Sequence, residues 1–378
     1  VVSTLEKVTE RLISLYGKDV VYDSDNPPEL DAISTGAFLL DYACGVGGFP
    51  YGRVIEIYGN PSSGKTTVAH HVVKECQKAG HPALYLDFEH AVDFPYAKAI
   101  GVSFDKDKFL LVKPKSLEQG LYVAKVLMER GAVKCVVVDS MAAMTTEKEF
   151  EDQPGHTQIG MQARALAQAM KVLTPIIGST GTCFVFINQI RDKIAISGPM
   201  VGRTQKTTPG GAAPKFYSSI RVECRTVESL KGRVPNLLTG QMEPGYVVAK
   251  IEARITKNKV AAPHGKAWFY IRYGRGIDHE MTLIDVGLAR GMLTRKASSY
   301  VFPAVDTNGF TSPEAHVKGL EAATRYLREH PDLASHLERQ IRSGLDELVR
   351  AAPKEGTLED DQFEKQEEEA GASSVGDD

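Results

Sequence analysis

The sequence has no apolar run approaching the roughly 18 residues needed to cross a bilayer, no internal repeat, and few cysteines. Each absence excludes a class. The five cysteines (Cys44, Cys76, Cys135, Cys183 and Cys224) are odd in number and scattered through mostly apolar segments. They lack the C-x-x-C pairing that zinc or thiol redox chemistry favours, so they are expected to be reduced core residues. The first residues, Val1 to Tyr16, are polar and helix-like rather than charged and then apolar. A signal peptide is therefore not expected, and the expectation is a soluble, cytoplasmic protein with no membrane partner.

What is present suits a folded enzyme. A chain of 378 residues with 42 % hydrophobic content can bury a substantial core and divide into one large and one small domain. The net charge of -3 conceals an asymmetry. Glu355 to Asp378 hold ten acidic residues and one basic, a net of -9, which leaves +6 on residues 1 to 354. A basic body with an acidic tail suits an anionic partner such as nucleic acid, with the tail competing for the same surface. A merely solvating, disordered tail on an ordinary enzyme is the alternative.

Leu5, Val8, Leu12 and Leu15 share one face of a helix predicted over residues 4 to 16 and stopped by Gly17, an amphipathic element that needs a partner. A linker at Asp23 to Glu29 follows, and the main domain is expected from Ile33. From there strands and helices alternate as in a mostly parallel sheet covered on both faces. The predicted strands are Arg53 to Tyr58, Ala83 to Asp87, Lys134 to Asp139 and Cys183 to Asn188. Helices are predicted at Lys65 to Ala79 and from a Ser116/Gln119 capping box to Gly131, and later at Ser312 to His330 and Leu333 to Val349. Ile190 to Gly211 is poor in regular pattern and too long for an ordinary connection.

Gly59-Asn60-Pro61-Ser62-Ser63-Gly64-Lys65-Thr66 fits G-x-x-x-x-G-K-[ST] and falls where its mechanism requires, after an apolar strand and at a helix start. The glycines let backbone N–H groups wrap phosphates, Lys65 reaches the β- and γ-phosphates, and the Thr66 hydroxyl can join a Mg²⁺ shell. Thr67 is counted with this loop. Asp139, ending the run Val136-Val137-Val138, is placed to hold the metal through water, with a helix cap as its other reading. Glu89, two residues past the strand end at Asp87, is the candidate to activate water; an exposed loop glutamate is the alternative. The implied cofactors are ATP and Mg²⁺.

These residues resemble the bacterial and phage RecA-type recombinase family, and the similarity runs from about Ile33 to Ile277. It rests on Ile33-Ser34-Thr35-Gly36, Glu56-Ile57-Tyr58-Gly59 through the phosphate loop, and Asp87-Phe88-Glu89-His90-Ala91-Val92-Asp93. Val138-Asp139-Ser140, Phe186-Ile187-Asn188-Gln189-Ile190-Arg191 and Lys257-Asn258-Lys259-Val260-Ala261-Ala262-Pro263 complete the set. The resemblance implies an α/β fold: a RecA-like P-loop ATPase core with a mostly parallel central sheet, a short N-terminal helix and a small C-terminal α/β domain. The expected divisions are 1–32 for the oligomerisation helix and linker, 33–270 for the core, 271–352 for the small domain and 353–378 for a disordered acidic tail.

The resemblance also implies roles. Glu89 would activate water, and Gln189 would sense the γ-phosphate and relay its presence to a DNA loop. Asp93 and Tyr96 would contact adenine, Ser140 would lie with Asp139 in the nucleotide site, and Lys257 and Lys259 would reach a neighbour's ATP. Phe216 matches a subunit-interface position, so the partners are further copies of the chain in a helical filament, with single-stranded and homologous duplex DNA.

The two DNA loops would fall at Glu151 to Gly160, carrying Ile159, and at Arg191 to Gly211. The second holds Arg191, Lys193, Arg203, Lys206, Gly210 and Gly211 and is followed by Lys215 and Arg221. Arg164 and Lys171, seven apart on one helical face, could join the same track. Cations with exposed backbone amides suit phosphates rather than base edges, so binding independent of sequence is expected. Pro209 interrupting the Thr-Gly-Gly run and Ala212 after Gly211 depart from the usual pattern and fit a divergent or phage-encoded member.

Rival readings are a hexameric helicase-type motor and an ATP-binding scaffold with negligible turnover; a small-molecule kinase leaves the basic loop unexplained. If the tail competes with DNA, deleting residues 355 to 378 tightens DNA binding at moderate salt. Equal binding curves with and without the tail would remove that idea.

Overall fold

Strands covered on both faces read as unbroken apolar runs, and those runs form the middle of one sheet. The computed structural model describes residues 3–17, 30–151, 160–194, 204–207, 209–211, 213–236, 239–263, 265–307 and 310–351, with the backbone alone at 151, 191–194, 204–207, 307 and 348–351. The chain divides into two compact units between His279 and Glu280.

In the first unit nine strands, numbered along the chain, make the central sheet: β1 Val54–Gly59, β2 Ala83–Asp87, β3 Phe109–Val112, β4 Cys135–Asp139, β5 Cys183–Gln189, β6 Ile220–Pro235, β7 Met242–Asn258, β8 Lys266–Arg272 and β9 Gly276–Asp278. Their order is β9-β8-β7-β6-β1-β5-β4-β2-β3. Neighbours from β6 to β3 run parallel. The β6 to β9 side is antiparallel. Every residue of β1, β2 and β4 is buried.

Register matters most for the site. Gly59 is level with Gln189, and Asp87 with Asp139, so four strands end together at the edge where open α/β sheets bind ligands.

Side chains alternate between the two faces. Val136, Val138, Phe184 and Phe186 meet Leu121 and Met128 of the Leu117–Glu129 helix, and Leu166, Met170, Leu173 and Ile177 of the Met161–Thr180 helix. The phosphate-loop helix, Lys65–Lys78, buries Val68, Val72 and Cys76. Each such side chain contributes roughly 1.5–3 kcal/mol, so packing rather than intrinsic propensity holds these helices. All five cysteines are buried free thiols, as anticipated, and burial pushes Cys224 up to about 12.

The expected N-terminal helix is Thr4–Tyr16, closed by a reciprocal Ser3/Glu6 capping box, with Leu5, Val8, Leu12 and Leu15 exposed. The Ser116 box is altered by one residue: Ser116 Oγ accepts from Gln119 N, but the Gln119 side chain takes the N–H of Lys115.

Two segments differ from expectation in pattern. Arg191–Ile194 and Thr204–Thr207 pair as a short antiparallel ribbon, so part of the segment read as irregular is regular. The large unit also extends past the expected boundary at 270/271, because β8 and β9 pair within the central sheet, Tyr270 opposite Asp278.

The second unit opens with the remainder of the His279–Ala289 helix and has a three-stranded antiparallel sheet of Thr294–Lys296, Ser299–Phe302 and Ala315–Lys318. Helices Leu320–Glu329 and Pro331–Ala351 follow, and Leu283, Phe302, Leu327, Leu337 and Ile341 are buried. The helix predicted from Ser312 begins only at Leu320. Gly319, at φ +89°, separates it from the Ala315–Lys318 strand, a segment expected to be helical. The tail from 353 lies outside the described residues.

Candidate nucleotide site

The phosphate loop joins β1 to the Lys65–Lys78 helix, and its glycines are sterically required. A Cβ on Gly59 would stand 2.2 Å from the Cys224 carbonyl oxygen, and one on Gly64, at φ +84°, 2.5 Å from Ile271 Cδ1. Lys65 Nζ donates to the Asn60 carbonyl at 2.6 Å. Burial lowers its pKa, opposed by nearby groups that include Asp139 and Glu89.

A cavity of about 560 Å³ opens beside this loop, a size suited to a small-molecule ligand. Ser62 to Thr67 form its polar wall, Asp93 and Tyr96 lie opposite, and Ala249, Ile251, Ile271 and Tyr273 add apolar surface. Asp93 caps the Phe94–Ile100 helix through Tyr96 N at 2.9 Å, and the Tyr96 hydroxyl pairs with Thr67 Oγ1 at 2.9 Å.

Behind the loop, Thr66 Oγ1 donates to Asp139 Oδ2 at 3.2 Å, and the Tyr85 hydroxyl donates to the same oxygen at 2.7 Å. Desolvation is the main cause that raises the Asp139 pKa to about 6; the Tyr85 and Thr66 hydrogen bonds oppose it. The Asp139 carbonyl accepts from Phe88 N and Glu89 N at 2.7 and 3.3 Å, fixing the turn after β2. That turn is also held by Asp87, which accepts from Ala91 N and Val92 N. Glu89 Oε1 then accepts from Ser140 Oγ and, at 3.1 Å, from Gln189 Nε2. Thus Lys65, Thr66, Asp139, Ser140, Glu89 and Gln189 converge from β1, β2, β4 and β5.

The RecA N-terminal domain family model matches residues 3–278, spanning the whole central sheet. The chain belongs to the RecA family. A protein RecA of Salinispora tropica is 41 % identical over 328 residues, covering 86 % of this chain and 87 % of that protein. The RecA of Corynebacterium aurimucosum is 40 % identical over 329 residues, with 86 % and 80 % covered. That of Lactobacillus delbrueckii subsp. bulgaricus is 38 % identical over 345 residues, with 91 % and 97 % covered. RecA proteins are the recombinases of homologous recombination and DNA repair, and they are DNA-dependent ATPases. Among the described residues no helix is long and apolar enough to cross a membrane.

Against that family membership, the remaining sequence candidates fall into three groups. Lys257 and Lys259 do not line the cavity: Lys257 Nζ donates to the carbonyls of Lys215 and Phe216 at 2.5 and 3.1 Å, and Lys259 Nζ to that of Phe216 at 3.5 Å. Partial burial, then Lys259 and Arg221, lower the Lys257 pKa. Phe216 itself is 71 % exposed beside them. The second group is the loop track. Arg164, Lys171 and Lys215 are exposed; Arg191, Lys193 and Lys206 fall on the backbone ribbon; Ile159 and Arg203 lie outside the described residues. Gly210 and Gly211, at φ +87° and +67°, pass close to the Met161–Thr180 helix, where a Cβ on Gly211 would be 2.9 Å from that of Ala163.

Arg221 stands apart. Its Nε donates to buried Glu56 Oε2 at 2.5 Å and its guanidinium covers the Tyr58 ring at 4.5 Å, so it is an internal ion-pair partner rather than part of an open track. The other Glu56 oxygen accepts from Asn188 Nδ2 at 2.9 Å, and Asn188 also donates to the Pro209 carbonyl at 3.1 Å. Sequence reasoning missed Tyr85, Glu56 and Asn188 as a set. The available signal was a polar residue inside an otherwise apolar buried run, Glu56 in Val-Ile-Glu-Ile and Tyr85 in Ala-Leu-Tyr-Leu.

Removing one partner of a buried pair strands the other charge, so Arg221→Ala is expected to destabilise the protein by about 3 kcal/mol in denaturant unfolding. A change below about 0.5 kcal/mol, the range of ordinary surface positions, would return Arg221 to the exposed cations.

Proposed function

We propose that this chain binds ATP with Mg²⁺, assembles as a filament on single-stranded DNA, and uses hydrolysis to release it, with homologous pairing and strand exchange carried by the filament. The observation that carries the reading is the bond from Gln189 Nε2 to Glu89 Oε1, because Gln189 also ends the strand that leads into the basic loop. One amide thereby touches the candidate water-activating carboxylate and the root of the candidate DNA surface.

Thr66 and Asp139 supply a hydroxyl and a carboxylate within hydrogen-bond distance, a hard-oxygen pair that fits Mg²⁺. When bound, Mg²⁺ would neutralise charge on the β- and γ-phosphates. The chain does the rest. Loop N–H groups and the helix N-terminus hold the β-phosphate, and Lys65 exchanges the Asn60 carbonyl for phosphate oxygens. Tyr96 and the apolar wall of Ile251 and Ile271 would take the adenine. Glu89 orients a water for attack and receives its proton, while Ser140 and Gln189 fix the carboxylate. With the γ-phosphate in place, Gln189 is drawn from Glu89 toward it, and the strand end reports occupancy to the loop.

Lys257, Lys259 and Phe216 form a separate edge that suits the ATP of a neighbouring copy, and the exposed apolar face of Thr4–Tyr16 suits the next subunit. Phosphate contacts from Arg164, Lys171, Arg191, Lys193, Arg203, Lys206 and Lys215 would bind single strands without reading bases.

ATP hydrolysis measured with and without single-stranded DNA should show strong stimulation, absent in Lys65→Ala. No stimulation in folded, ATP-binding protein would favour a scaffold; directional duplex unwinding without strand exchange would favour a helicase motor. Glu89→Gln should slow turnover by about 100-fold or more while retaining DNA-bound filaments in electron micrographs. Unchanged turnover would remove Glu89 from the chemistry.

A further inference from the structure

We propose that Tyr85 is a positioning residue for the Asp139 carboxylate, held in reach by the ring of His70. The inference rests on the Mg²⁺-dependent reading of the nucleotide site and concerns two side chains that the reaction as described does not use.

The argument begins with sheet register. Tyr85 pairs with Val137 and Asp87 with Asp139 on adjacent parallel strands. Alternation therefore puts Tyr85 and Asp139 on the same face, diagonally offset by one pair, while Leu84, Leu86, Val136 and Val138 join the core on the other face. A diagonal neighbour is beyond the reach of a short polar side chain but within that of an aromatic one. The phenol spans it, and its hydroxyl meets Asp139 Oδ2 at 2.7 Å. Buried Tyr85 has no room to be merely solvated there.

The helix above supplies the other constraint. Thr66 and His70 are four residues apart and share one face of Lys65–Lys78. Thr66 reaches Asp139 Oδ2, while the imidazole of His70 stacks on Tyr85 with ring centroids 5.3 Å apart and planes 22° from parallel. The contacts close a circuit: helix to Thr66, Thr66 to Asp139, Asp139 to Tyr85, Tyr85 to His70, and His70 back to the helix. Two donors on Oδ2 fix the carboxylate rotamer and leave Oδ1 without a hydrogen bond among the described residues. Orientation of a metal-binding carboxylate by a neighbouring donor commonly changes metal affinity by 10- to 100-fold.

Tyr85→Phe keeps the ring and its stacking and deletes only the donor. In the full-length protein the Mg²⁺ concentration giving half-maximal DNA-stimulated ATPase should rise about tenfold, with a much smaller change in the maximal rate. Mn²⁺ affinity of the protein saturated with a non-hydrolysable ATP analogue, read from the paramagnetic resonance of free Mn²⁺, should weaken by a similar factor. His70→Ala should shift both readouts in the same direction, and His70→Phe, which keeps a stacking ring, should restore them. Wild-type metal dependence in Tyr85→Phe by both measurements overturns the inference and leaves the ATPase reading standing. Wild-type protein with neither Mg²⁺-dependent hydrolysis nor nucleotide-dependent Mn²⁺ binding overturns both.

Discussion

Asp139 is the point at which the helix and strands of the nucleotide site are fastened together. Its carbonyl holds the two N–H groups of the turn that carries Glu89, and its carboxylate holds a hydroxyl from the phosphate-loop helix and another from β2. The residue is nearly buried, so these bonds are made where water competes poorly, and desolvation of the charge is the cost they offset. Any shift of β4 along its neighbours would move the carboxylate proposed to hold the metal, the Glu89 turn and Ser140 together. The level endings of Asp87 with Asp139 and of Gly59 with Gln189 are therefore a geometric condition for the proposed chemistry.

A second buried charge, Glu56, serves a different end. It is fully enclosed in β1, and its two oxygens are divided between Arg221 of β6 and Asn188 of β5. A hydrophobic residue of similar size could pack as well, because burying an ion pair seldom gains net stability. What the pair adds is specificity of arrangement. Asn188 is held by Glu56 on one side and holds the Pro209 carbonyl on the other, so the end of the basic loop is fastened to the strand that bears Gln189. On the proposed reading, nucleotide occupancy and loop position share one rigid strand end.

Legibility in the sequence followed the range of the physics involved. The phosphate loop, the buried strands and the amphipathic N-terminal helix are written in local pattern and composition, and Glu89 and Asp139 follow from their places just past or at strand ends. The Ser312–Lys318 segment is ambiguous in sequence because a short strand and a helix start carry similar local signals, and the deciding residue is Gly319 with its positive φ. The ion pair of Arg221 was hidden for another reason. A cation near a basic loop looks like part of that loop, and only the sheet order, which puts β6 beside β1, reveals its partner Glu56. Tyr85 depends on register between strands about fifty residues apart, which no local pattern encodes.

The lysine edge gives the last constraint. In the single chain Lys257 and Lys259 are satisfied by neutral carbonyls of Lys215 and Phe216, and partial burial, with Lys259 and Arg221 close by, disfavours the charge of Lys257. A phosphate adds the attraction of opposite charges to the hydrogen bond, which a neutral carbonyl does not offer an ammonium group. An ATP presented by a neighbouring copy would therefore draw both lysines away from the Phe216 backbone. Loss of the γ-phosphate would return them to it. Because Phe216 is itself exposed at that edge, the same exchange would alter the surface next to it, and on the proposed reading assembly and nucleotide state would be tied through a pair of lysines and one backbone segment rather than through a long path across the sheet.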